Sequence, residues 1–110
     1  MNKGKLGEFE ELVLLMIVIL KDDSYGLAIC EELREQTGRS VTIGAVHATL
    51  VRLEQKGFVE SYLGDPTNER GGRRKRLFHL TAYGKKVLFE SCEMKINIWR
   101  QIPELSFKII

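Results

Sequence analysis

Apolar side chains near the start of the chain recur with the spacing of a helix. The longest apolar run, Leu12 to Leu20, predicts a helix from about Gly7 to Lys21. Its apolar positions spread over more than one side of the helical wheel and are Phe9, Leu12, Val13, Met16 and Leu20. We therefore expect other elements to cover this helix on several sides. The run is about half the ~20 residues that a membrane-spanning helix needs, so no membrane association is expected.

Two further helices are predicted from capping residues and apolar periodicity. Asp23 or Ser24 is positioned to cap a second helix that ends at Gly38, where glycine adopts a left-handed conformation easily. Thr42 is positioned to cap a third helix that reaches Lys56. The apolar positions that share one side of these helices are Tyr25, Ile29 and Leu33 in the second, and Ile43, Val46, Leu50 and Leu53 in the third.

The opposite side of the third helix has an unusual composition. It carries small or hydrogen-bonding side chains, namely Gly44, Ala45, Ala48, Arg52 and Gln55. An ordinary surface helix would mix acids and lysines there. The pattern indicates a helix that approaches another surface closely.

A hairpin and a final helix follow. Strands are predicted at Phe58–Leu63 and at Leu77–Leu80, the second preceded by a basic run. Glycine, proline and asparagine between them predict a long loop at the hairpin tip. Thr81 is positioned to cap a helix from about Ala82 to Gln101, which Pro103 closes.

The final helix has two apolar edges. One edge contains Tyr83, Val87, Met94 and Ile98, and the other contains Leu88, Cys92 and Trp99. One small domain cannot bury both edges of a single helix. We expect one edge to pack on the chain's own body and the other on a second copy, because symmetric pairing is the commonest closed assembly.

The composition fits one small globular domain and no enzyme. The chain has 110 residues and a formal net charge of +2, which leaves no room for a separate catalytic domain. Cys30 and Cys92 lie far apart, so we expect two reduced thiols, no metal site and no cofactor. The two histidines have no partner at catalytic spacing, and the N-terminal pattern is not that of a secretion signal, which favours the cytoplasm.

Positive charge is concentrated at the hairpin tip and its descending strand. The cluster consists of Arg70, Arg73, Arg74, Lys75 and Arg76. Three helices followed by a hairpin form a winged helix, in which the third helix enters the major groove and the hairpin, or wing, touches the neighbouring backbone. Cations on the wing would neutralise phosphates. The alternative interpretation of the cluster is a solvated loop.

Three segments resemble the signature blocks of PadR-family regulators, in matching order and spacing. They are Asp23–Ile29, Ile43–Val59 and Arg73–Gly84, and the resemblance extends over most of the chain from Leu6 onward. The chain departs from the family at His47, where tyrosine is common, and at Ala48, where proline is common. These departures suggest a different operator.

The resemblance implies a mainly α fold with a small β-hairpin, in the α+β class. Residues 1–81 would form the winged helix-turn-helix DNA-binding domain, residues 82–102 a C-terminal dimerisation helix, and residues 103–110 a tail whose order is not predicted. The implied function is that of a homodimeric repressor that binds double-stranded operator DNA and is released by an unknown signal or small ligand.

Site residues follow from the pattern and the resemblance together. Recognition-helix contacts are expected from Thr42, Gly44, Ala45, His47, Ala48 and Arg52, and backbone or wing contacts from Tyr25, Arg70, Arg73, Arg74, Lys75 and Arg76. The expected dimer interface contains Leu6, Phe9, Val13, Leu88, Cys92, Met94, Ile98, Trp99 and Ile102. By analogy with some PadR-like regulators, a pocket for a small aromatic effector would contain Phe9, Met94 and Trp99.

Alternatives stay open at this point. Tyr25 either closes the core beneath the second helix or offers its hydroxyl to a phosphate, or does both. His47 is either structural or a DNA contact, and Trp99 serves either dimer packing or an effector. The competing function is a winged-helix protein-interaction module that docks a partner through the third helix without binding DNA.

Overall fold

The computed structural model describes residues 5–66 and 74–106, which form a mainly helical fold with one β-hairpin. The elements are α1 (Glu8–Leu20), a short 3-10 helix (Lys21–Asp23), α2 (Gly26–Thr37), α3 (Ile43–Gln55), β1 (Val59–Pro66), β2 (Arg74–Leu80), α4 (Ala82–Trp99) and α5 (Pro103–Ser106). This order confirms the predicted three helices, wing and final helix. Pro103 does not close α4, which ends earlier, but begins α5.

The core lies where α1, α2, α3 and the hairpin meet. Its completely buried side chains include Val13, Leu14, Ile29, Leu33, Val46, Leu53 and Phe58. The prediction that Ile43 faces this core is wrong, because its side chain is 40% exposed. Ile43 is the first residue of α3 and precedes the turn that packs inward at Val46.

The wing is an antiparallel pair of strands. Val59 lies opposite Leu80 at its base, and Leu63 lies opposite Arg76 further out. The register shifts between Leu63 and Pro66, so both strands extend further toward the tip than predicted. Core-facing side chains near the base bury the hairpin against the helices, while its outer part carries the basic residues.

The segment before α2 runs along the other edge of β2. Tyr25 forms a β-bridge with Leu77, and the Phe78 amide donates to the Ser24 carbonyl at 3.0 Å. The prediction that Asp23 or Ser24 caps α2 is wrong, because Tyr25 occupies the cap position. The Ser24 side chain is completely buried and its hydroxyl donates to the Phe78 carbonyl instead. Ser24 therefore joins the start of α2 to the wing.

Three other predicted helix ends are confirmed. The Thr42 hydroxyl accepts a hydrogen bond from the Ala45 amide at 3.1 Å, which caps α3. The Thr81 hydroxyl accepts from the Gly84 amide at 3.0 Å, which caps α4. Gly38 ends α2 with a φ of 70°, a left-handed conformation that glycine adopts without strain.

The buried residues of helix α4 lie in its first half. Gly84 and Leu88 are its buried residues, and the Gly84 backbone lies directly against the carbonyl of Phe58. From Glu93 to Ile98 every residue is exposed. This segment therefore exposes three large apolar side chains, Met94, Ile96 and Ile98.

Candidate nucleic-acid interface

A groove of about 710 Å³ opens between the starts of α2 and α3 and the strand β2. Its lining residues are Tyr25, Gly26, Leu27, Ile43, His47, Arg74, Lys75, Arg76 and Phe78. Three of these described residues are cations and none is an acid. The groove brings together the two helix beginnings and the wing that the sequence assigned to DNA contact, and its charge suits an anionic ligand.

Tyr25 both lines this groove and packs against the wing. The Lys75 ammonium lies 4.2 Å from the centre of the Tyr25 ring, a cation–π contact. The bridge to Leu77 holds the tyrosine backbone against β2. The ring is half-buried, so packing and ligand contact are compatible at this residue.

His47 lies against the start of α2. A side chain at Gly26 would place its first carbon 3.1 Å from Nε2 of His47, tighter than ordinary van der Waals contact. The glycine therefore allows α3 to approach α2 at this point. His47 is itself exposed and lines the groove, so it has both a packing neighbour and a solvent-facing edge.

The solvent-facing ridge of α3 is narrow in its first half. Thr42, Gly44, Ala45 and Ala48 are all exposed, and no heavy atom lies within 4 Å of where a side chain at Gly44 would begin. Val51, which the sequence interpretation missed, continues this ridge and is 53% exposed. Its spacing of three and seven residues from Ala48 and Gly44 carried that information.

Arg52 lies at the margin of the ridge and is engaged by α1. Its Nε is 3.5 Å from a carboxylate oxygen of Glu10, and its NH2 group donates to the Thr49 hydroxyl at 3.1 Å. Glu10 also accepts from Lys56 at 2.9 Å and from the Gly7 amide at 2.7 Å. The structure therefore does not bring Arg52 together with the groove residues.

Glu10 is almost completely buried and ionised. Burial raises the pKa of the Glu10 carboxyl, but the hydrogen bonds from Gly7 and Lys56 and the charge of Lys56 outweigh it. The net result is a pKa below its ordinary value of 4.5. Glu10 thus anchors the end of α3 to the start of α1.

Two of the described wing cations, Arg74 and Arg76, form hydrogen bonds. Arg74 donates through Nε to the Gly64 carbonyl at 2.8 Å. Arg76 donates to the Ser61 hydroxyl at 3.0 Å, and Ser61 donates to Glu54 of α3 at 3.0 Å. A guanidinium carries five N–H donors, so these bonds leave donors for phosphate. The two remaining predicted wing residues, Arg70 and Arg73, lie outside the described residues.

The residues expected at a dimer interface differ in how much surface they expose. Val13 is completely buried and Leu88 nearly so, and both belong to the core of the single chain. Their burial is a correction to the expected interface, since they have almost no surface to offer a partner. Half-buried positions are Leu6, Phe9, Cys92, Trp99 and Ile102, whereas Met94 and Ile98 are more than half exposed. Large exposed side chains that the interface prediction missed are Tyr83, Phe89 and Ile96.

Glu11 joins α1 to α4 as Glu10 joins it to α3. The Glu11 carboxylate accepts from Lys95 and Ser91, and the Cys92 thiol lies 3.7 Å away. Burial raises the pKa of Glu11, but the bonds from Lys95 and Ser91 outweigh it and hold the pKa below its ordinary value. Burial and the Glu11 charge raise the pKa of Cys92, which makes the thiol less reactive.

Three further properties of the described residues bear on the predictions. Trp99 has its indole nitrogen buried without a hydrogen-bond partner among the described residues. Within those residues no group of three histidine, cysteine or acidic side chains is arranged to hold a metal ion. No helix in the described ranges is both long and apolar enough to cross a membrane.

Comparison with known families and proteins gives a consistent result. The model of the PadR-like family of transcriptional regulators matches residues 14–90. An uncharacterized protein of Lysinibacillus sphaericus is 32% identical over 101 residues, which cover 90% of this chain and 84% of that protein.

Solved structures share the fold. A PadR family transcription regulator of Clostridium difficile has a TM-score of 0.59 at 27% identity, covering 89% of this chain and 96% of that one. A PadR-like regulator of Bacillus cereus has a TM-score of 0.68 at 19% identity, covering 86% of this chain and 89% of that one. Bacillus subtilis PadR, solved in complex with operator DNA, has a TM-score of 0.61 at 18% identity, covering 77% of this chain and 46% of that one.

Proposed function

Because this chain belongs to the PadR-like family of transcriptional regulators, we propose that it binds operator DNA as a homodimer and represses transcription. The proposal places the protein in the cytoplasm and assigns it no catalytic role. A two-fold dimer would recognise a pseudo-palindromic operator with half-sites about one helical turn apart.

The groove between α2, α3 and β2 is the observation that carries this proposal. It combines three cations and no acid among its described lining residues with a slim recognition helix beside it. Phosphate neutralisation supplies much of the affinity for DNA, and a helix must be narrow to bring side chains to base edges. The same fold occurs in Bacillus subtilis PadR, whose structure contains operator DNA, and this supports a DNA-binding role.

The proposed contacts divide by element. On α3, base-edge contacts are assigned to Gly44, Ala45, His47 and Ala48, with Thr42 at the phosphate-binding helix start. Tyr25 and the wing cations, including Arg70 and Arg73, are assigned to the backbone. Arg52 contributes only if it leaves Glu10, so its assignment is secondary.

The exposed second half of α4 supports the dimer. Met94 and Ile98 expose large apolar side chains, which suit a protein partner better than solvent. Residues 82–102 are therefore proposed as the dimerisation element beside a DNA-binding unit of residues 1–81. Release by a small aromatic ligand near Phe9, Met94 and Trp99 is a further proposal, supported by the unpartnered indole nitrogen of Trp99.

The first test is the affinity of the purified protein for its own upstream intergenic DNA against a scrambled fragment, at several salt concentrations, with mass determined in parallel. We expect a dimer with selective binding that weakens as salt rises. A dimer that prefers no fragment would favour the alternative, a protein-interaction module that uses the α3 surface.

The wing is tested by a double variant, Arg74→Ala with Arg76→Ala. If each arginine neutralises one phosphate, the slope of log affinity against log salt falls by about 1.8 per subunit, and all sequences are bound more weakly. Arg39→Ala is the matched control, because this exposed arginine pairs with Glu8 of α1 away from the groove lining. An unchanged slope in the double variant would remove the wing from the interface.

A further inference from the structure

We propose that Val51 reads the 5-methyl group of a thymine in each operator half-site. This inference rests on the proposed DNA-binding function and deepens it by naming a specificity-determining residue and the base feature that it recognises. Val51 belongs to neither the sequence-predicted contacts nor the groove lining.

The exposure of Val51 is not explained by the packing of its own chain. Its side chain is 53% exposed and does not belong to the hydrophobic core or to the partly buried side chains packed on it. The exposed residues that precede Val51 in α3 include Gly44, His47 and Ala48. A β-branched residue such as valine does not favour helix formation at an exposed position, because straight-chain residues are better helix formers.

The neighbours of Val51 make it the most prominent apolar group on this ridge. Gly44, Ala48, Val51 and Gln55 lie within about 60° of arc on the wheel of α3. Gly44 has no side chain and Ala48 has only a methyl group, so neither shields the valine from a surface that approaches the ridge. Val51 is therefore positioned to touch any surface that α3 approaches.

The chemistry of the ridge favours an apolar contact. Arg52, the long donor next to it, is bound to Glu10 and Thr49. The hydrogen-bonding side chains that remain near the ridge are His47 and Gln55. In the major groove the thymine methyl is the apolar group on a base edge, and apolar side chains recognise it by contact.

The test begins by selecting the preferred duplex of the full-length protein from a random pool. Each thymine of a half-site is then replaced, one at a time, by deoxyuridine, which lacks only the 5-methyl group. We expect one position per half-site at which wild-type affinity falls about fourfold, the effect of losing one buried methyl group.

The decisive comparison uses Val51→Ala. This variant should bind the thymine duplex about fourfold more weakly per half-site and should no longer distinguish thymine from deoxyuridine at that position. Val18→Ala is the matched control, since Val18 of α1 is 51% exposed and lies off the ridge. The control should keep the full sensitivity to the methyl group, and unfolding curves should show both variants folded.

Two results would overturn the inference. If Val51→Ala retains the wild-type sensitivity at every thymine, Val51 does not read a methyl group, although the DNA-binding function stands. If selection yields no preferred duplex, both the inference and the proposed function fail.

Discussion

Helices α3 and α4 both expose much of their length, but they expose different kinds of side chain. The first half of α3 presents small residues such as Gly44 and Ala48 beside a cationic groove. The second half of α4 presents large apolar residues, with Ile98 55% exposed and Phe89 63% exposed on the same helix. Small side chains suit entry into a nucleic-acid groove, whereas large apolar ones suit burial against protein. The size of the exposed side chains, rather than exposure itself, distinguishes the two surfaces.

Helix α1 connects these two surfaces through adjacent carboxylates. Glu10 pairs with Lys56 at the end of α3, and Glu11 pairs with Lys95 of α4. Both acids are nearly buried, so separating either one from its partner would leave a buried charge uncompensated. The two neighbouring residues therefore fix the positions of α3 and α4 relative to the same helix.

The largest expected effect is on stability, and it comes from comparing an alanine substitution of one glycine in α4 with that of one glycine in α3. Gly84→Ala places a methyl group into the carbonyl of Phe58, so α4 has to shift and the free energy of unfolding should fall by about 3 kcal/mol or more. Gly44→Ala meets no atom within 4 Å and should raise stability by up to about 1 kcal/mol. Urea unfolding measures both, and equal losses would contradict the packing described for α4.

A charge on the exposed face of α4 should break the proposed dimer. Ile98→Glu buries a carboxylate in an apolar interface, so the dimer dissociation constant should rise at least about a hundredfold. Sedimentation at several concentrations measures this, with Ile98→Leu as the conservative control. If Ile98→Glu keeps the wild-type mass at every concentration, this part of α4 is not the interface.

Removing either α1 carboxylate should have a smaller effect. Glu10→Gln and Glu11→Gln each weaken a nearly buried ion pair, with an expected loss of about 1–3 kcal/mol in the free energy of unfolding. Glu10→Gln should weaken DNA binding more than dimer formation, and Glu11→Gln should do the reverse. If the two variants lose DNA affinity and dimer affinity in the same proportion, Glu10 and Glu11 do not position α3 and α4 separately.

The same carboxylates predict a pH dependence. The pKa values of Glu10 and Glu11 lie below 4.5 in the folded state, so both groups stabilise the fold at neutral pH. That stabilisation is lost as pH falls below about 4.5 and through the folded-state pKa values. Each glutamine variant should therefore lose less stability than wild type between pH 7 and pH 3. If the free energy of unfolding of a glutamine variant falls as steeply in acid as that of wild type, this assignment is contradicted.

Local features of the fold were predictable from sequence. Thr42, Thr81 and Gly38 act within one helix turn, and the core positions of α2 and α3 follow helical periodicity. Ile43 was misassigned because it is the first residue of α3, before the turn that packs inward, and Ser24 because a distant element supplies its partner. Ser24 bonds to a strand more than fifty residues later, which no local pattern reveals.

The candidate site was predictable in part. The groove contains Tyr25, His47, Arg74, Lys75 and Arg76, all of which the sequence indicated. Arg52 was assigned to the ridge because the wheel cannot show that Glu10, 42 residues earlier, binds it. Val51 was missed although the wheel places it on the side of Gly44 and Ala48, because an apolar side chain is ordinarily assigned to the core.

The most direct test of the central claim, that the exposed ridge of α3 enters DNA, is the operator preference of Ala48→Leu. Leucine is also a good helix former and Ala48 is exposed, so thermal unfolding and dimer mass should match wild type. We expect the preference for the selected operator over scrambled DNA to fall at least about tenfold, because the larger side chain keeps the helix from the base edges. A variant that keeps the full wild-type preference would contradict the claim and show that α3 does not enter the DNA major groove.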